Sequence, residues 1–451
     1  MGIAPDEFSM CHCVIPILVR HLSSKVPILL LQFMQTFTAV FLGASLLTFA
    51  TRMWLSARHI RYILAHRESV PESFSSEIKL EAHRKAADYT CAKTRLGYIS
   101  TLVETVLVLV LTLGGGIDAL SAFWSTWLSN PLVHGVALIL STIFLMSLVE
   151  LPIRYYRAFV IEEQFDFNKM TPRMFVLDLA KRALLGILFG IPLLLGILWL
   201  MEKMGSHWWF YAWLGWMGFN LAVLAIFPVW IAPLFNKFTP LDDAPLKARI
   251  EQLMRKCGFR TSGFFVMDGS RRSNHGNAYF TGFGNTKRIV FFDTLLARLD
   301  IAEIEAVLAH ELGHFKRHHV IKRIAWAFAM SLLFLWCLGY LMQQPWFYQG
   351  LGAHVSAVPS TATALLLFFL VMPAFTFLLQ PVASLYSRRH EFEADEYAAH
   401  NASALDLIRA LVKLYQDNAA TLTPDPLHSA FYDSHPPASL RIARLQDLAR
   451  N

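Results

Sequence analysis

The stretch His310-Glu311-Leu312-Gly313-His314 sets two imidazoles four residues apart with a carboxylate between them. On a helix, positions i and i+4 share a face, so both histidines can offer a ring nitrogen to one divalent ion while Glu311 projects beside them. The chemistry this implies is hydrolysis: the ion lowers the pKa of a water, and the neighbouring carboxylate takes its proton and returns it to the leaving group. Such a short pattern also arises by accident in a chain with 17 histidines. The elements around it have to decide.

Residues 300–328, DIAEIEAVLAHELGHFKRHHVIKRIAWAF, carry a helical pattern running straight toward an apolar segment, with Ile304, Val307, Leu308 and Leu312 as the buried stripe. Gly313 is small enough to let a second helix approach closely. His318 lies farther along the same face, but its distance from His310 is about 12 Å of rise, against metal–nitrogen bonds of about 2.0–2.1 Å. It can join the first pair only if the helix breaks, and HFKRHH offers no glycine or proline to break it. His318 and His319 are therefore expected at the membrane interface beside Lys316 and Arg317.

A third ligand has to come from elsewhere, and RRHEFEADEYAAH at 388–400 is the best supplier. Glu391 and Asp395 share one helical face, while Glu393 points away. One carboxylate would bind the ion and the other would accept the outer N–H of a ligating histidine, fixing its tautomer. Spacing alone leaves open which does which.

Of the 451 residues, 55% are hydrophobic and 16% charged, and mean hydropathy is +0.42. This apolar excess reads as membrane. Seven stretches are long and apolar enough to cross about 30 Å of hydrocarbon: 26–50, 96–117, 132–153, 183–201, 208–235, 324–341 and 361–385. Lys and Arg collect in 51–95, in 154–182 and after Ser387, and are absent from 118–131 and 342–360. The positive-inside rule then puts the N-terminus outside and the C-terminus in the cytoplasm. The net charge of +7 is flanking charge on membrane helices, so nucleic acid is not an expected partner. The five cysteines form no repeated CxxC pair, which argues against a disulfide framework or a cysteine zinc site.

The expected organisation is a tail (1–25), a membrane region of five spans (26–235), a cytoplasmic lobe carrying the HExxH helix (236–323), two further spans (324–385) and a C-terminal helical region with the third ligand (386–451). The lobe opens with DAPLKARIEQLMRKCGF, an amphipathic helix with Gly258 as its stop. Short β-like runs follow, GFFVMD, NAYFTGFG and RIVFFD, the last two joined through NTK in hairpin fashion. The fold class is a mainly α, polytopic membrane protein with seven transmembrane helices and a metalloprotease-like lobe bearing a small β-sheet.

Further blocks extend the pattern from about residue 50 to the C-terminus: ADYTCAKTRLGY, FVIEEQFDFNKMTP, NAYFTGFGNTKRIVFFDTLL, HELGHFKRHH, SRRHEFEADEYA and SHPPASLRI, in that order. Together they resemble the type I CaaX prenyl endopeptidases, integral membrane zinc proteases. The heat-shock membrane zinc proteases share the catalytic motifs, but the N-terminal blocks and the span count favour the former. The resemblance implies helices enclosing a wet chamber and one Zn2+ per chain, held by His310, His314 and Glu391, with Asp395 behind a ligand histidine and Arg441 ordering the ligand helix. It implies that His435 helps stabilise the oxyanion, and that the backbone around Asn277 and Ala278 is an edge strand that pairs with an extended substrate. Read without it, SHPP is a helix-entry turn. The substrate would be a peptide or protein, prenylated or membrane-associated, cut in CaaX processing or in membrane-protein quality control. The site would face the cytoplasm, at an endoplasmic reticulum or bacterial inner membrane.

Two other readings compete. An intramembrane metalloprotease needs its motif inside a continuous apolar span, whereas Asp300, Glu303, Glu305, Lys316 and Arg317 flank this one. A transporter or channel with a structural zinc draws its support from Glu104, an ionisable residue within an apolar run. A wet chamber accounts for Glu104 equally well.

Overall fold

Hydrocarbon thickness sets a minimum length for a crossing helix but no maximum. The computed structural model describes residues 11–281, 286–354 and 360–450. Among them, seven helical segments are long and apolar enough to span a membrane: Gln35–Ala65, Leu80–Leu111, Pro131–Gln164, Pro172–Lys203, Gly205–Leu234, His319–Leu341 and Thr361–Asn401. Each overlaps an expected stretch, and several overrun it. The second begins at Leu80 rather than near residue 96, because its polar first turns bury His83, Ala86, Ala87, Tyr89 and Cys91 on one face. The third likewise continues past the expected stretch, and there the Tyr89 hydroxyl donates to Glu162 Oε1 at 2.7 Å. Gly115, at φ 74°, marks the turn after the second span.

The membrane core is built where these helices meet: Leu138, Leu198, Trp208, Leu338 and Leu367 are all buried there. The lobe has its own core. Helix α1 (Ala244–Cys257) starts where the Asp243 side chain accepts from the Leu246 N–H and stops at Gly258, φ 79°. A four-stranded sheet follows in the order β1-β2-β4-β3, with β1 Phe238–Pro240, β2 Arg260–Met267, β3 Ala278–Thr281 and β4 Thr286–Phe292. β2 and β4 are parallel, and the outer pairs are antiparallel. The short strand β1 was not expected from the sequence; its Pro240 is tolerated because it lies on an edge strand. The NTK connection falls partly outside the described residues, since Asn285 is not among them.

Helices α2 (Ile301–Lys316) and α3 (Gln380–Asn401) cross against the sheet, backed by α4 (Ala404–Asp417), α5 (Pro426–Tyr432) and α6 (Ala438–Arg450). Ile289 and Phe291 of β4 share one core with Ile304, Leu308 and Leu312 of α2 and Leu407 of α4.

The expectation of one helix from residue 300 into the sixth span is corrected here. α2 ends at Lys316 and a new helix begins at His319. The break is at His318, which adopts the left-handed conformation at φ 58° and ψ 27°. No glycine or proline is needed, because histidine enters this region several-fold more often than most side chains.

Candidate metal centre

The motif helix is fixed at its start. Asp300 accepts from the Glu303 N–H at 2.9 Å, and Glu303 Oε2 accepts from the Asp300 N–H at 2.9 Å. This reciprocal cap is worth about 1 kcal/mol. The fully buried Glu303 carboxylate also pairs with Lys413 of α4 at 2.6 Å. Farther along, Gly313 is where α3 crosses. A Cβ there would lie 3.1 Å from the Ala394 Cα and 3.1 Å from the Tyr397 Cβ, closer than comfortable packing permits. The small residue therefore sets how near α3 can bring its carboxylates.

His310 Nε2 and His314 Nε2 stand 3.3 Å apart. Glu391 Oε2 is 3.6 Å from the first and Glu391 Oε1 is 3.4 Å from the second. These three are a group that could hold a metal ion. Four ligands at about 2.0–2.1 Å in a tetrahedron are separated by about 3.3 Å along each edge, so the triangle has the size one zinc-like ion requires. Asp395 sits differently. Its Oδ1 is 2.8 Å from His310 Nδ1, the ring nitrogen facing away from the triangle. Spacing leaves both carboxylates as candidates; in the fold Glu391 faces both Nε2 atoms, and Asp395 backs one ring.

Arg441 of α6 locks that backing. Its Nε and Nη2 donate to the two Asp395 oxygens at 2.8 and 2.6 Å, and its Nη1 lies 3.7 Å from Glu391 Oε2. All of these groups are buried.

His314 is backed by a residue that sequence reasoning placed elsewhere. His319, expected at the membrane interface outside the site, does open the sixth span but is buried against the site, with Nδ1 3.1 Å from His314 Nδ1 and Nε2 3.0 Å from Glu393 Oε2. The kink at His318 turns it back toward the site, while His318 itself is exposed. Glu393 does point away from the His310 face, yet it reaches the centre through His319. It also accepts from Arg389 Nε at 3.1 Å. His390 stacks on His319 at 4.0 Å. The sequence signal for this pair was the second histidine of HH lying opposite the middle carboxylate of HEFEAD.

The electrostatics follow the carboxylates. Burial disfavours charge on His310, but hydrogen bonds to Asp395 and Glu391 outweigh it and raise its pKa to about 9. Burial, aided by the charge on His310, lowers His314 to about 3. The pocket therefore holds positive charge tightly at one point, where a divalent ion would displace a proton. Burial raises the Glu311 carboxyl above its ordinary range. Glu311 makes no hydrogen bond or ion pair with another described residue, so its oxygens remain available for a proton.

His435 lies in the turn before α6, followed by Pro436 and Pro437. SHPP is thus a helix entry, and it also brings His435 Nδ1 to 2.6 Å from Glu391 Oε2. Asn277 and Ala278 sit at the start of β3, on the sheet edge. The Asn277 carbonyl is turned inward and accepts from the Phe292 N–H at 2.9 Å. The Ala278 N–H is turned outward, where the Asn277 side chain accepts from it at 2.8 Å. Phe280 on the same strand packs on Phe315, next to His314, with ring centroids 5.9 Å apart.

Glu104 has a partner: Arg52 Nη1 lies 3.2 Å from its Oε2, and Ser100 donates to its Oε1 at 3.0 Å. The motif helix α2 lies outside all seven spans.

Residues 59–237 match the family model described as CAAX prenyl protease N-terminal, five membrane helices, and residues 240–449 match peptidase family M48. The chain is 33% identical over 386 residues to a CAAX prenyl protease 1 homolog of Dictyostelium discoideum, covering 83% of this chain and 88% of that protein. It is also 33% identical to CAAX prenyl protease 1 of Saccharomyces cerevisiae, covering 89% of this chain and 94% of the relative. The crystal structure of S. mikatae Ste24p superposes with a TM-score of 0.85 at 31% identity, over 91% of this chain and 99% of that one. These matches run through both the membrane helices and the lobe that carries His310, His314 and Glu391. The chain is therefore a multi-pass membrane metalloendopeptidase and belongs to the type I CaaX prenyl endopeptidase family, within peptidase family M48.

Proposed function

We propose that the chain is a zinc-dependent endopeptidase cutting C-terminal CaaX segments of prenylated proteins at the cytoplasmic face of its membrane. The carrying observation is the His310–His314–Glu391 triangle, whose separations of 3.3, 3.4 and 3.6 Å suit one tetrahedral ion. The donor set, two imidazoles and a carboxylate, is that of hydrolytic zinc sites. Zinc held there supplies a Lewis acid and brings the pKa of water down toward about 7.

The chain's own groups would do the rest. Glu311 takes the proton of the attacking water and returns it to the leaving amine. Asp395, held by Arg441, keeps the His310 Nδ1 protonated so that Nε2 faces the ion. His435, largely exposed and beside Glu391, donates to the oxygen that becomes negative. The outward backbone of β3 pairs with an extended substrate. The Arg52–Glu104 pair is also informative: its side chains are 28% and 49% exposed within the spans. A charged pair facing lipid is costly, so we read it as lining a water-filled chamber between the helices. The distribution of Lys and Arg supports the cytoplasmic orientation, and the relatives' names, CAAX prenyl protease 1 and its homolog, support prenylated CaaX substrates.

The test is cleavage of a farnesylated CaaX peptide by the purified chain in detergent. Cleavage stopped by a chelator and restored by zinc supports the reading. Equal cleavage of the peptide without its prenyl group would shift the substrate toward membrane-protein quality control, and ion flux without cleavage would favour a transporter. Glu311→Gln is expected to retain zinc, measured by metal analysis, and to lose roughly 100- to 10,000-fold in kcat.

A further inference from the structure

A second built cavity lies away from the metal centre, where the fourth and fifth spans meet the lobe. Its volume is about 430 Å³, within the roughly 300–1,000 Å³ of small-molecule sites. Its walls are the first turns of the Pro172–Lys203 helix, residues 233–237 at and just beyond the end of the fifth span, and Arg271 and Arg272 ahead of β3. Five cations line it: Arg173, Lys181, Lys237, Arg271 and Arg272. The carboxylates do not match them. Asp178 is taken by Arg272 at 2.9 Å, and Asp268 pairs with Arg271 at 3.0 Å. Lys181 donates only to the Leu234 carbonyl, at 2.6 Å. Neither Arg173 nor Lys237 has a carboxylate within ion-pair distance among the described residues. Three cations thus converge on one pocket with no anion of the protein to balance them.

The remaining wall is apolar. Leu177 and Leu234 line the cavity and are 50% and 48% exposed. Along the same two spans, away from the lobe, Leu184, Leu188, Val229 and Trp230 are also exposed, between 59% and 74%. A free inorganic anion would have no use for this surface. A phospholipid would use both parts, its phosphate among the cations and its chains along the exposed leucines, with Trp230 suited to the interface.

We propose that this cavity is a binding site for the headgroup of an anionic phospholipid, seated between the fourth and fifth spans and the lobe. The lipid would bridge span ends and lobe through the Arg272–Asp178 pair that joins them. It would tie lobe position to leaflet composition.

The probe is a short-chain fluorescent phosphatidylglycerol, titrated onto the full chain in neutral detergent. The double variant Arg173→Glu, Lys237→Glu is compared with Arg61→Glu, Lys79→Glu, which makes the same charge change at exposed positions elsewhere. Roughly fivefold weaker binding per cation removed in the first variant, little change in the second, and no displacement by inorganic phosphate would bear the site out. Equal losses in both variants would mean bulk charge attraction and overturn it. So would displacement by inorganic phosphate, or equal binding of phosphatidylcholine. Retained peptide cleavage by both variants shows that each is folded, so a loss of lipid binding is not a loss of structure.

Discussion

The two histidines of the centre are backed in opposite ways. Behind His310 stand Asp395 and Arg441, both buried, joined by two hydrogen bonds of 2.6 and 2.8 Å. Behind His314 stand the His319 ring and then Glu393, whose side chain is 27% exposed and shared with an exposed Arg389. The first side is a charge pair that cannot lose a member without stranding the other. The second is a graded relay from the ring to solvent. One side ties its imidazole to a buried charge pair, and the other links its imidazole toward solvent.

The sharpest way to break this contrast is Asp395→Ala, which leaves the buried Arg441 guanidinium without its two close hydrogen bonds and with only the longer carboxylate contact, to Glu391 3.7 Å away. The expected cost is about 3–5 kcal/mol of stability, visible as a large drop in thermal unfolding temperature; a change below 1 kcal/mol would remove the distinction. Next comes Gly313→Val, which forces α2 and α3 apart at their crossing. It should cost about 1–3 kcal/mol and weaken zinc binding in a competition assay with a chromogenic chelator. His319→Ala removes the partner of His314 while leaving no buried charge. Zinc affinity should fall about 10- to 100-fold with nearly unchanged stability, and unfolding as severe as that of the Asp395 variant would erase the asymmetry. The smallest effect belongs to Glu393→Gln. It retains a hydrogen-bond acceptor for His319 at a partly exposed site, so stability should shift by less than about 1 kcal/mol by chemical denaturation.

The same contrast marks what could be read from sequence. The His310 side was legible because helical periodicity puts His310 with His314, and Glu391 with Asp395, on shared faces, and because Gly313 announced a close helix crossing. What remained was geometric, namely which carboxylate faces the Nε2 atoms. The His314 side was not legible, because it depends on a left-handed residue at His318 that no glycine or proline signals. Without that kink His319 would point elsewhere. The spans show a related limit. Hydropathy finds the seven lipid-crossing stretches, but it is silent on turns such as 80–95, which are polar and helical because the protein itself covers one face.

The side chain of Asn277 occupies the outward N–H of Ala278, a bond of 2.8 Å. If a peptide strand pairs there as proposed, it would have to evict this side chain, so docking would exchange one hydrogen bond for another and gain little from the main chain at that position. Grip and selectivity would then fall to the visitor's own side groups and attachments. An edge that keeps itself satisfied between visitors also gives neighbouring copies of the protein less to zip onto.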